Sequence, residues 1–179
     1  MDLDFIYSRK FYFFDFDGVI KDSVELKGRA YQDVITKFYG SEAGSRAMAH
    51  HLQNGGVSRF EKFKLYMKWF GGEVPQEVLL QEFSNNIVSK VVNSRYILNV
   101  VPFLKYLKQL NIACFVLSAT PEVELKSIVT QLRINEFFAE EISREDFFTD
   151  ETEEAIGLVG SRVVGPTIAD DIKTGAVYS

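Results

Sequence analysis

The stretch FYFFDFDGVIKDS, residues 11–23, decides the fold that we expect for this chain. It begins with four aromatic residues, which are followed by Asp15, Phe16 and Asp17 and then directly by Gly18. A short aromatic run bounded by Asp and Gly is typical of a buried β-strand that ends in a turn. Two carboxylates one residue apart point the same way from an extended segment and repel each other. We therefore expect a cation to offset their charge.

The composition is that of an ordinary globular protein. Of 179 residues, 46% are hydrophobic and 25% charged, which excludes a chain that is disordered throughout. The net charge of −5 argues against a general nucleic-acid binder. No apolar run approaches the roughly 18 residues of a membrane span, and the N-terminus does not resemble a signal peptide. The single cysteine, Cys114, fits a reducing compartment, so we expect a cytoplasmic protein without a membrane partner.

The order of the predicted elements indicates an α/β fold. The first strand is followed by about four amphipathic helices, and then by a second apolar run, IACFVLS at 112–118. Pro121 begins a further helix. This order predicts a Rossmann-like parallel sheet core formed by residues 1–21 and 96–179, with a helical domain inserted at 22–95.

The clearest helix of the insertion is predicted at 58–70. Ser58 and Glu61 form a capping box, and the two glycines at 71 and 72 end the helix. We expect one packed face on this helix, formed by Phe60, Phe63, Met67 and Phe70.

Polar residues end both predicted strands. In an open parallel sheet ligands bind at the carboxyl ends of the strands, where Asp15, Asp17 and Ser118 are expected. Carboxylate oxygens are the hard ligands that Mg²⁺ prefers, so Asp15 and Asp17 are the first candidate metal ligands. Gly18 permits a turn that a side chain would obstruct.

The segments DFDGVI at 15–20 and FVLSAT at 115–120 resemble the first two motifs of the haloacid dehalogenase-like superfamily. The resemblance covers about residues 10–142. The helical insertion is similar to the cap domain of the phosphoglycolate phosphatase and β-phosphoglucomutase branch. The resemblance implies that Asp15 is the nucleophile and Asp17 the general acid and base. It also implies that Gly18, Ser118 and Ala119 bind the phosphoryl group.

A second segment, HHLQNGGVSRFEKF at 50–63, resembles the loop and helix start with which related caps contact a substrate. Arg59 lies in the first helical turn, where its guanidinium and the backbone N–H groups could hold an anion. The alternative is a surface arginine beside a helix start. We expect His50 and His51 to pack or to face solvent, and Cys114 to belong to the core.

The third motif of the superfamily contributes a lysine, and this chain has no lysine between Lys126 and Lys173. Arg144 could supply a charge there, although a planar guanidinium does not simply replace an ammonium group. The residue that takes the place of that lysine is left open.

Two segments compete for the fourth motif, an apolar strand that ends in metal-binding acids. AIGLVGS at 155–161 has the apolar run expected of the strand but carries Ser161 where an acidic residue is expected. VVGPTIADD at 163–171 supplies Asp170 and Asp171 but is interrupted by Gly165 and Pro166. The second segment is favoured, because a ligand of Mg²⁺ is an oxygen donor and preferably charged.

The preferred hypothesis is a Mg²⁺-dependent phosphatase of a small phosphorylated metabolite, either a sugar phosphate or a phosphoglycolate-like compound. The alternative is a catalytically weak or inactive member that binds a phosphorylated ligand or a protein partner. A phosphomutase is a third possibility, because the cap resembles that branch too. The sequence does not choose the substrate or the oligomeric state.

Overall fold

The structure is a computed structural model that describes residues 11–139 and 156–159. Three strands are present in this part of the chain: β1 (Phe11–Asp15), β2 (Ala113–Leu117) and β3 (Ile156–Val159). The α-helices are α1 (Val24–Tyr39), α2 (Ser41–Gln53), α3 (Arg59–Phe70), α4 (Gln76–Asn93), α5 (Val100–Gln109) and α6 (Glu122–Gln131). A short 3₁₀ helix spans Asn135–Phe137. None of the described helices is long and apolar enough to cross a membrane.

The three strands form one parallel sheet in the order β2-β1-β3. The aromatic run of the sequence is therefore the middle strand, with hydrogen-bonded neighbours on both edges. A strand in the interior of a parallel sheet is covered on both faces, and Tyr12, Phe13 and Phe14 are accordingly all buried. The predicted α/β fold with a parallel sheet is confirmed.

Aromatic contacts hold β1 against its surroundings. On one face the ring of Phe13 stacks on that of Phe115 from β2, with centroids 5.2 Å apart. On the other face Phe103 of α5 meets Tyr12 at 6.0 Å and Phe14 at 6.1 Å, edge to face. Such ring pairs contribute about 0.5–1.5 kcal/mol each beyond the area that they bury. They help to fix the position of β1 beside β2 and α5.

The chain turns sharply after β1. Gly18 has a φ of +77°, in the left-handed region that a side chain disfavours, and its N–H donates to the carbonyl of Lys21 at 2.7 Å. The carbonyl of Phe16 accepts from the N–H groups of Ile20 and Lys21 at 3.0 and 3.1 Å. These bonds close a tight turn over residues 16–21, directly after β1, as the sequence predicted for Gly18.

The chain divides into two compact units. Of the described residues, the sheet unit contains 11–21, 96–118, 129–139 and 156–159. The helical unit contains Asp22–Arg95 and Ala119–Ile128. The helical unit thus includes the predicted insertion together with the segment Ala119–Ile128, which the sequence analysis assigned to the core. The division into a core and a cap at residues 22 and 95 remains a prediction.

The core of the helical unit is an aromatic cluster around Tyr31 of α1. The ring of Tyr31 lies 4.4 Å from that of Phe83, 5.3 Å from Phe63 and 5.9 Å from Tyr66. Helix α2 packs very close to α1 at Gly44. A Cβ atom at this position would collide with Thr36. Large rings and one close helix contact therefore build this core together.

The packed face of α3 differs from the predicted one. Ser58 caps the helix as predicted, with its Oγ atom accepting from the N–H of Glu61 at 3.4 Å, which is one of the two hydrogen bonds of a capping box. The predicted packing of Phe60 is wrong, since 49% of this residue is exposed. Phe63 is buried as predicted, and Met67 and Phe70 are half-buried. The other buried positions are Arg59, Lys62 and Tyr66. Two cations lie on the inner face because each finds a polar partner inside the helical unit, which the spacing of apolar residues does not reveal.

Replacing Phe63 with alanine should test the inner face of α3. We expect Phe63→Ala to lower the free energy of unfolding by about 3–5 kcal/mol, because it opens a cavity in the cluster around Tyr31. Trp69, the single tryptophan, lies on the same helix with its ring 5.6 Å from that of Tyr66. Urea denaturation followed by tryptophan fluorescence therefore reports on this unit directly.

The matched control is Phe60→Ala, three residues earlier on the same helix. Because Phe60 is half-exposed, its loss should change the free energy of unfolding by less than about 0.5 kcal/mol. Equal losses in the two variants would contradict the assignment of the buried face.

Replacing Gly18 with alanine should test the turn after β1. We expect Gly18→Ala to cost about 1–2 kcal/mol of folding free energy, since its φ of +77° is unfavourable for an L-residue. Urea denaturation followed by circular dichroism measures the loss. Gly72→Ala is the control, because Gly72 has no positive φ and a Cβ there meets nothing within 4 Å. A neutral result for Gly18→Ala would mean that the turn relaxes without strain.

Candidate active site

Asp15 and Ser118 lie at neighbouring positions on one edge of the sheet. Asp15 is the last residue of β1 and is paired with Leu117, the last residue of β2. Ser118 therefore comes one residue beyond the partner of Asp15. Because β1 and β2 are parallel, both residues belong to the carboxyl edge, where open parallel sheets bind ligands. The structure thus brings together two of the residues that the sequence singled out.

The alternation of Asp15, Phe16 and Asp17 has a simple packing basis. Phe16 is fully buried, whereas both aspartates are partly exposed. Side chains along an extended segment alternate in direction, so a ring packed inward leaves its two neighbours on the outer side. The Oδ1 atom of Asp15 accepts a hydrogen bond from the N–H of Phe16 at 2.6 Å, which fixes the orientation of this carboxylate.

A buried lysine belongs to the same turn, and the sequence analysis missed it. Only 1% of Lys21 is exposed, and its ammonium group lies 4.1 Å from the centre of the Tyr96 ring. Burial lowers the pKa of Lys21. A single lysine in a short loop is usually a surface residue, so no sequence signal could have identified this one.

The chemistry of Asp15 and Asp17 fits Mg²⁺, since both offer hard carboxylate oxygens that are partly exposed. Within residues 11–139 and 156–159 there is no cluster of three or more His, Cys, Asp or Glu side chains that could complete a metal site. The other predicted ligands, Asp170 and Asp171, lie outside the described residues, as does Arg144. The full ligand set therefore remains a prediction.

Strand β3 bears on the choice between the two candidate fourth motifs. Ile156–Val159 pairs in parallel with β1, on the side opposite β2. The less favoured segment, 155–161, thus supplies a strand beside β1, with Val159 opposite Phe14. Ser161 and the favoured segment 163–171 lie outside the described residues. Which segment supplies the metal-binding acids remains open.

Arg59, the predicted anion-binding residue of the helical unit, is held by an internal carboxylate. Its Nη1 and Nη2 atoms donate to the two carboxylate oxygens of Glu124 at 2.8 and 2.5 Å. Nη1 also donates to the Oγ atom of Ser84 at 2.9 Å, and the guanidinium lies 4.8 Å from the centre of the Phe83 ring. The Arg59 side chain is 4% exposed and that of Glu124 is 11% exposed. The alternative of a surface arginine is therefore wrong.

Two further lysines are buried in the helical unit, and neither was predicted. The Nζ atom of Lys27 donates to the Oγ1 atom of Thr120 at 2.7 Å. The Nζ atom of Lys62 lies 2.9 Å from Nδ1 of His51, which is itself buried. His51 thus packs inside the unit, which is one of the two outcomes expected for it. No motif marks either lysine, because their burial depends on partners far away along the chain.

Cys114 is a core residue, as expected. It is the second residue of β2, and burial raises the pKa of its thiol to about 12. A thiol with so high a pKa carries almost no thiolate at neutral pH and is a poor nucleophile. The surface cleft beside it is lined by Asn111 and Phe137, at the amino end of β2, and so lies away from Asp15 and Ser118.

The predicted site residues fall into two groups. Asp15, Asp17, Gly18 and Ser118 belong to the sheet unit, and they occupy the ends of two adjacent strands and the turn after the first. Arg59 and Ala119 belong to the helical unit. The structure supports the first group as a candidate active site. The substrate-binding role of the second group remains a prediction.

Comparison with known proteins agrees with this geometry. A model of the haloacid dehalogenase-like hydrolase family matches residues 12–154. No curated protein matches the chain by sequence.

Solved structures share the fold at low sequence identity. A predicted phosphoglycolate phosphatase from Haemophilus somnus is 16% identical with a TM-score of 0.61, over 84% of this chain and 76% of that one. CbbY from Rhodobacter sphaeroides, in complex with xylulose-(1,5)bisphosphate, is 13% identical with a TM-score of 0.60, over 94% and 71%. A structure named as a β-phosphoglucomutase from Thermotoga maritima is 21% identical with a TM-score of 0.51, over 72% and 58%.

At these identities the structural likeness shows the fold alone, and this chain spans less than two thirds of the Thermotoga maritima protein. The family model matches most of the chain, residues 12–154, and this range includes Asp15, Asp17 and Ser118. The chain therefore belongs to the haloacid dehalogenase-like hydrolase family.

Proposed function

We propose that this chain is a Mg²⁺-dependent phosphatase that hydrolyses a small phosphorylated metabolite through an aspartyl-phosphate intermediate. The observation that carries the proposal is the position of Asp15 beside Ser118, at the carboxyl ends of two paired parallel strands. A carboxylate and a hydroxyl at one sheet edge can serve as nucleophile and phosphoryl-oxygen ligand in the same reaction. Membership of a hydrolase family that includes residues 12–154 supports the reaction class.

Asp15 is the proposed nucleophile. One of its carboxylate oxygens would attack phosphorus, so that a new O–P bond forms while the ester P–O bond breaks. The hydrogen bond from the N–H of Phe16 holds this carboxylate in a defined orientation at the end of β1. Fixed orientation matters because an in-line displacement needs the attacking oxygen to be aligned with the leaving oxygen.

Asp17 is the proposed general acid and base. It would protonate the leaving oxygen in the first step, and in the second it would take a proton from the water that attacks the aspartyl-phosphate. The second step breaks the acyl phosphate, regenerates Asp15 and releases inorganic phosphate. Ser118 would donate a hydrogen bond to a phosphoryl oxygen in both steps.

Two carboxylates and a phosphate dianion repel one another at close range, so their approach requires a compensating cation. Asp15 and Asp17 would hold Mg²⁺, with Asp170 and Asp171 as the further ligands that we propose. Bound Mg²⁺ would supply the positive charge that offsets the negative charge gathered at phosphorus. Substrates consistent with this site are a sugar phosphate or a phosphoglycolate-like compound. Cytoplasmic location and Mg²⁺ dependence belong to the proposal.

A second candidate function has one observation in its favour. The chain has no lysine between Lys126 and Lys173, the region in which the resemblance implies one. A catalytically weak or inactive protein that binds a phosphorylated ligand or a protein partner would tolerate that loss. A phosphomutase is distinguished from both by its product, which would be an isomeric phosphate ester instead of inorganic phosphate.

Replacing the two strand-end carboxylates should separate their roles. We expect Asp15→Asn to abolish phosphatase activity, because an amide does not attack phosphorus. Asp17→Asn should lower kcat by roughly 10²- to 10⁴-fold, which is the usual contribution of a general acid–base group. The measurement is the release of inorganic phosphate from a panel of phosphorylated metabolites in the presence of Mg²⁺.

Glu25→Gln serves as a control that removes one negative charge from an exposed position, where Glu25 forms an ion pair with Arg29 four residues later on α1. It should leave the rate unchanged. Asp15→Asn with more than a few per cent of the wild-type rate would overturn the assignment of the nucleophile. Lack of phosphate release by the wild-type chain across the panel would favour the binding function.

Removing the late acidic pair should weaken the proposed Mg²⁺ site. We expect the double variant Asp170→Ala with Asp171→Ala to bind Mg²⁺ at least about tenfold more weakly, a loss of about 1.4 kcal/mol in binding free energy. The reason is that a third carboxylate ligand strengthens the binding of Mg²⁺. Calorimetric titration with Mg²⁺ gives the affinity. The charge-matched control is Asp150→Ala with Glu151→Ala, which should bind Mg²⁺ as the wild type does. Unchanged affinity in the first double variant would assign the remaining ligands elsewhere.

A further inference from the structure

The backbone of Lys21 is bonded to both peptide groups that flank Asp17. The N–H of Lys21 donates to the carbonyl of Phe16 at 3.1 Å, and the carbonyl of Lys21 accepts from the N–H of Gly18 at 2.7 Å. Asp17 and Lys21 accordingly form a parallel backbone bridge. The direction in which the chain presents the Asp17 side chain therefore depends on where Lys21 is held.

Tyr96 holds Lys21 from the other side. The two residues lie opposite each other in an antiparallel bridge, and next to it the N–H of Ile97 donates to the carbonyl of Ile20 at 3.1 Å. Opposed residues of an antiparallel pair have their side chains close together on one face. The ammonium group of Lys21 lies 4.1 Å from the centre of the Tyr96 ring, where the ring face attracts a cation. All four residues belong to the sheet unit, as the candidate active site does.

Packing alone does not account for a lysine at this position. Only 1% of Lys21 is exposed, and burying an ammonium group costs free energy that burying an aliphatic side chain does not. An aliphatic side chain would fill the same space but would lose the attraction to the ring of Tyr96. Residues that break the rules of packing are expected mainly at functional sites. Lys21 closes the turn that carries Asp17, and this position indicates the function that it serves.

We propose that Lys21 is a positioning residue, which holds the carboxylate of Asp17 in place for proton transfer by fixing the turn after β1 to the ring of Tyr96. This inference rests on the proposed phosphatase function, in which Asp17 is the general acid and base, and deepens it. Because Lys21 is buried, it has no surface with which to bind a substrate. Its effect on the reaction should therefore arise through Asp17, since a reacting group misplaced by about 1 Å can cost on the order of 10²-fold in rate.

The first test measures kcat and KM with the best substrate of the metabolite panel. Lys21→Met keeps a long side chain but removes the charge, and we expect it to lower kcat by at least about tenfold while KM changes by less than about threefold. Tyr96→Leu, which removes the ring, should lower kcat in the same way. Tyr96→Phe, which keeps the ring, should retain most of the wild-type rate.

The matched control is Lys108→Met, which should leave kcat unchanged. Lys108 belongs to the same unit and also lies over an aromatic ring, that of Phe137 at 5.6 Å. Its side chain, however, is 50% exposed and lines the cleft at the amino end of β2. A loss of kcat in Lys108→Met equal to that in Lys21→Met would overturn the inference.

A double-mutant cycle distinguishes positioning of Asp17 from general support of the fold. In Asp17→Asn there is no carboxylate left to position, so the further change Lys21→Met should lower kcat by less than about twofold. A purely structural role would instead multiply the two losses, and that result would contradict the inference.

The third test needs no turnover. The N–H of Gly18 is bonded to the carbonyl of Lys21, so its hydrogen exchange reports how often the turn opens. By NMR we expect the Gly18 amide to exchange at least about fivefold faster in Lys21→Met and in Tyr96→Leu than in the wild type, and at the wild-type rate in Lys108→Met. The amide of Leu104, which is buried in α5 of the same unit, is the reference and should exchange equally in all variants.

The outcomes separate this inference from the proposed function. Equal exchange of Gly18 in the wild type and Lys21→Met would overturn the inference, as would faster exchange without a loss of kcat. If Lys21→Met does not fold, Tyr96→Leu and Tyr96→Phe make the same comparison at a residue that is 38% exposed. If the wild type hydrolyses no phosphate ester, the proposed function fails, and the exchange of Gly18 alone then decides whether the contact between Lys21 and Tyr96 holds the turn closed.

Discussion

The parallel pairing of β1 with β2 is the constraint on which the candidate site depends. Because the two strands run in the same direction with Asp15 opposite Leu117, the chain leaves both strands at one edge. A slip of one residue would turn the side chains of β1 to the opposite face of the sheet. The stacked rings of Phe13 and Phe115 oppose such a slip, because it would turn Phe13 away from Phe115. The packing of aromatic residues within the sheet thus fixes the position of the Asp15 carboxylate at the end of β1.

Buried cations with internal partners are the second feature that organises the molecule. Each of them would be costly to bury alone, so each is compensated by a polar or aromatic group of its own unit. The pairs are Lys21 with the Tyr96 ring, Lys27 with Thr120, Arg59 with Glu124 and Lys62 with His51. These contacts tie segments that are distant in sequence, such as α3 and the first turn of α6.

The part of the site that could be predicted from the sequence is local. Asp15, Asp17 and Gly18 lie within four residues, at the end of an apolar strand and in the turn that follows it. Ser118 was found because it ends the second apolar run. Lys21 and Lys27 could not be found in this way, since an isolated lysine has the same local pattern whether it is buried or exposed. Phe60 was predicted to be packed but is half-exposed. The spacing of apolar residues alone does not distinguish the inner face of a helix from its edge.

The sequence by itself determined the strand and helix order, the parallel α/β class and the strand-end residues, because these depend on periodicity and on short motifs. Only the tertiary structure decided the partners of Arg59 and Lys62, because hydrogen bonds between distant segments leave no local trace. It also decided that Ile156–Val159 pairs beside β1, since neighbouring positions in a sheet follow from packing and not from chain order. The partner of Arg59 was likewise decided only by the tertiary structure. The sequence singled out Arg59, but Glu124, which neutralises its charge, is 65 residues away.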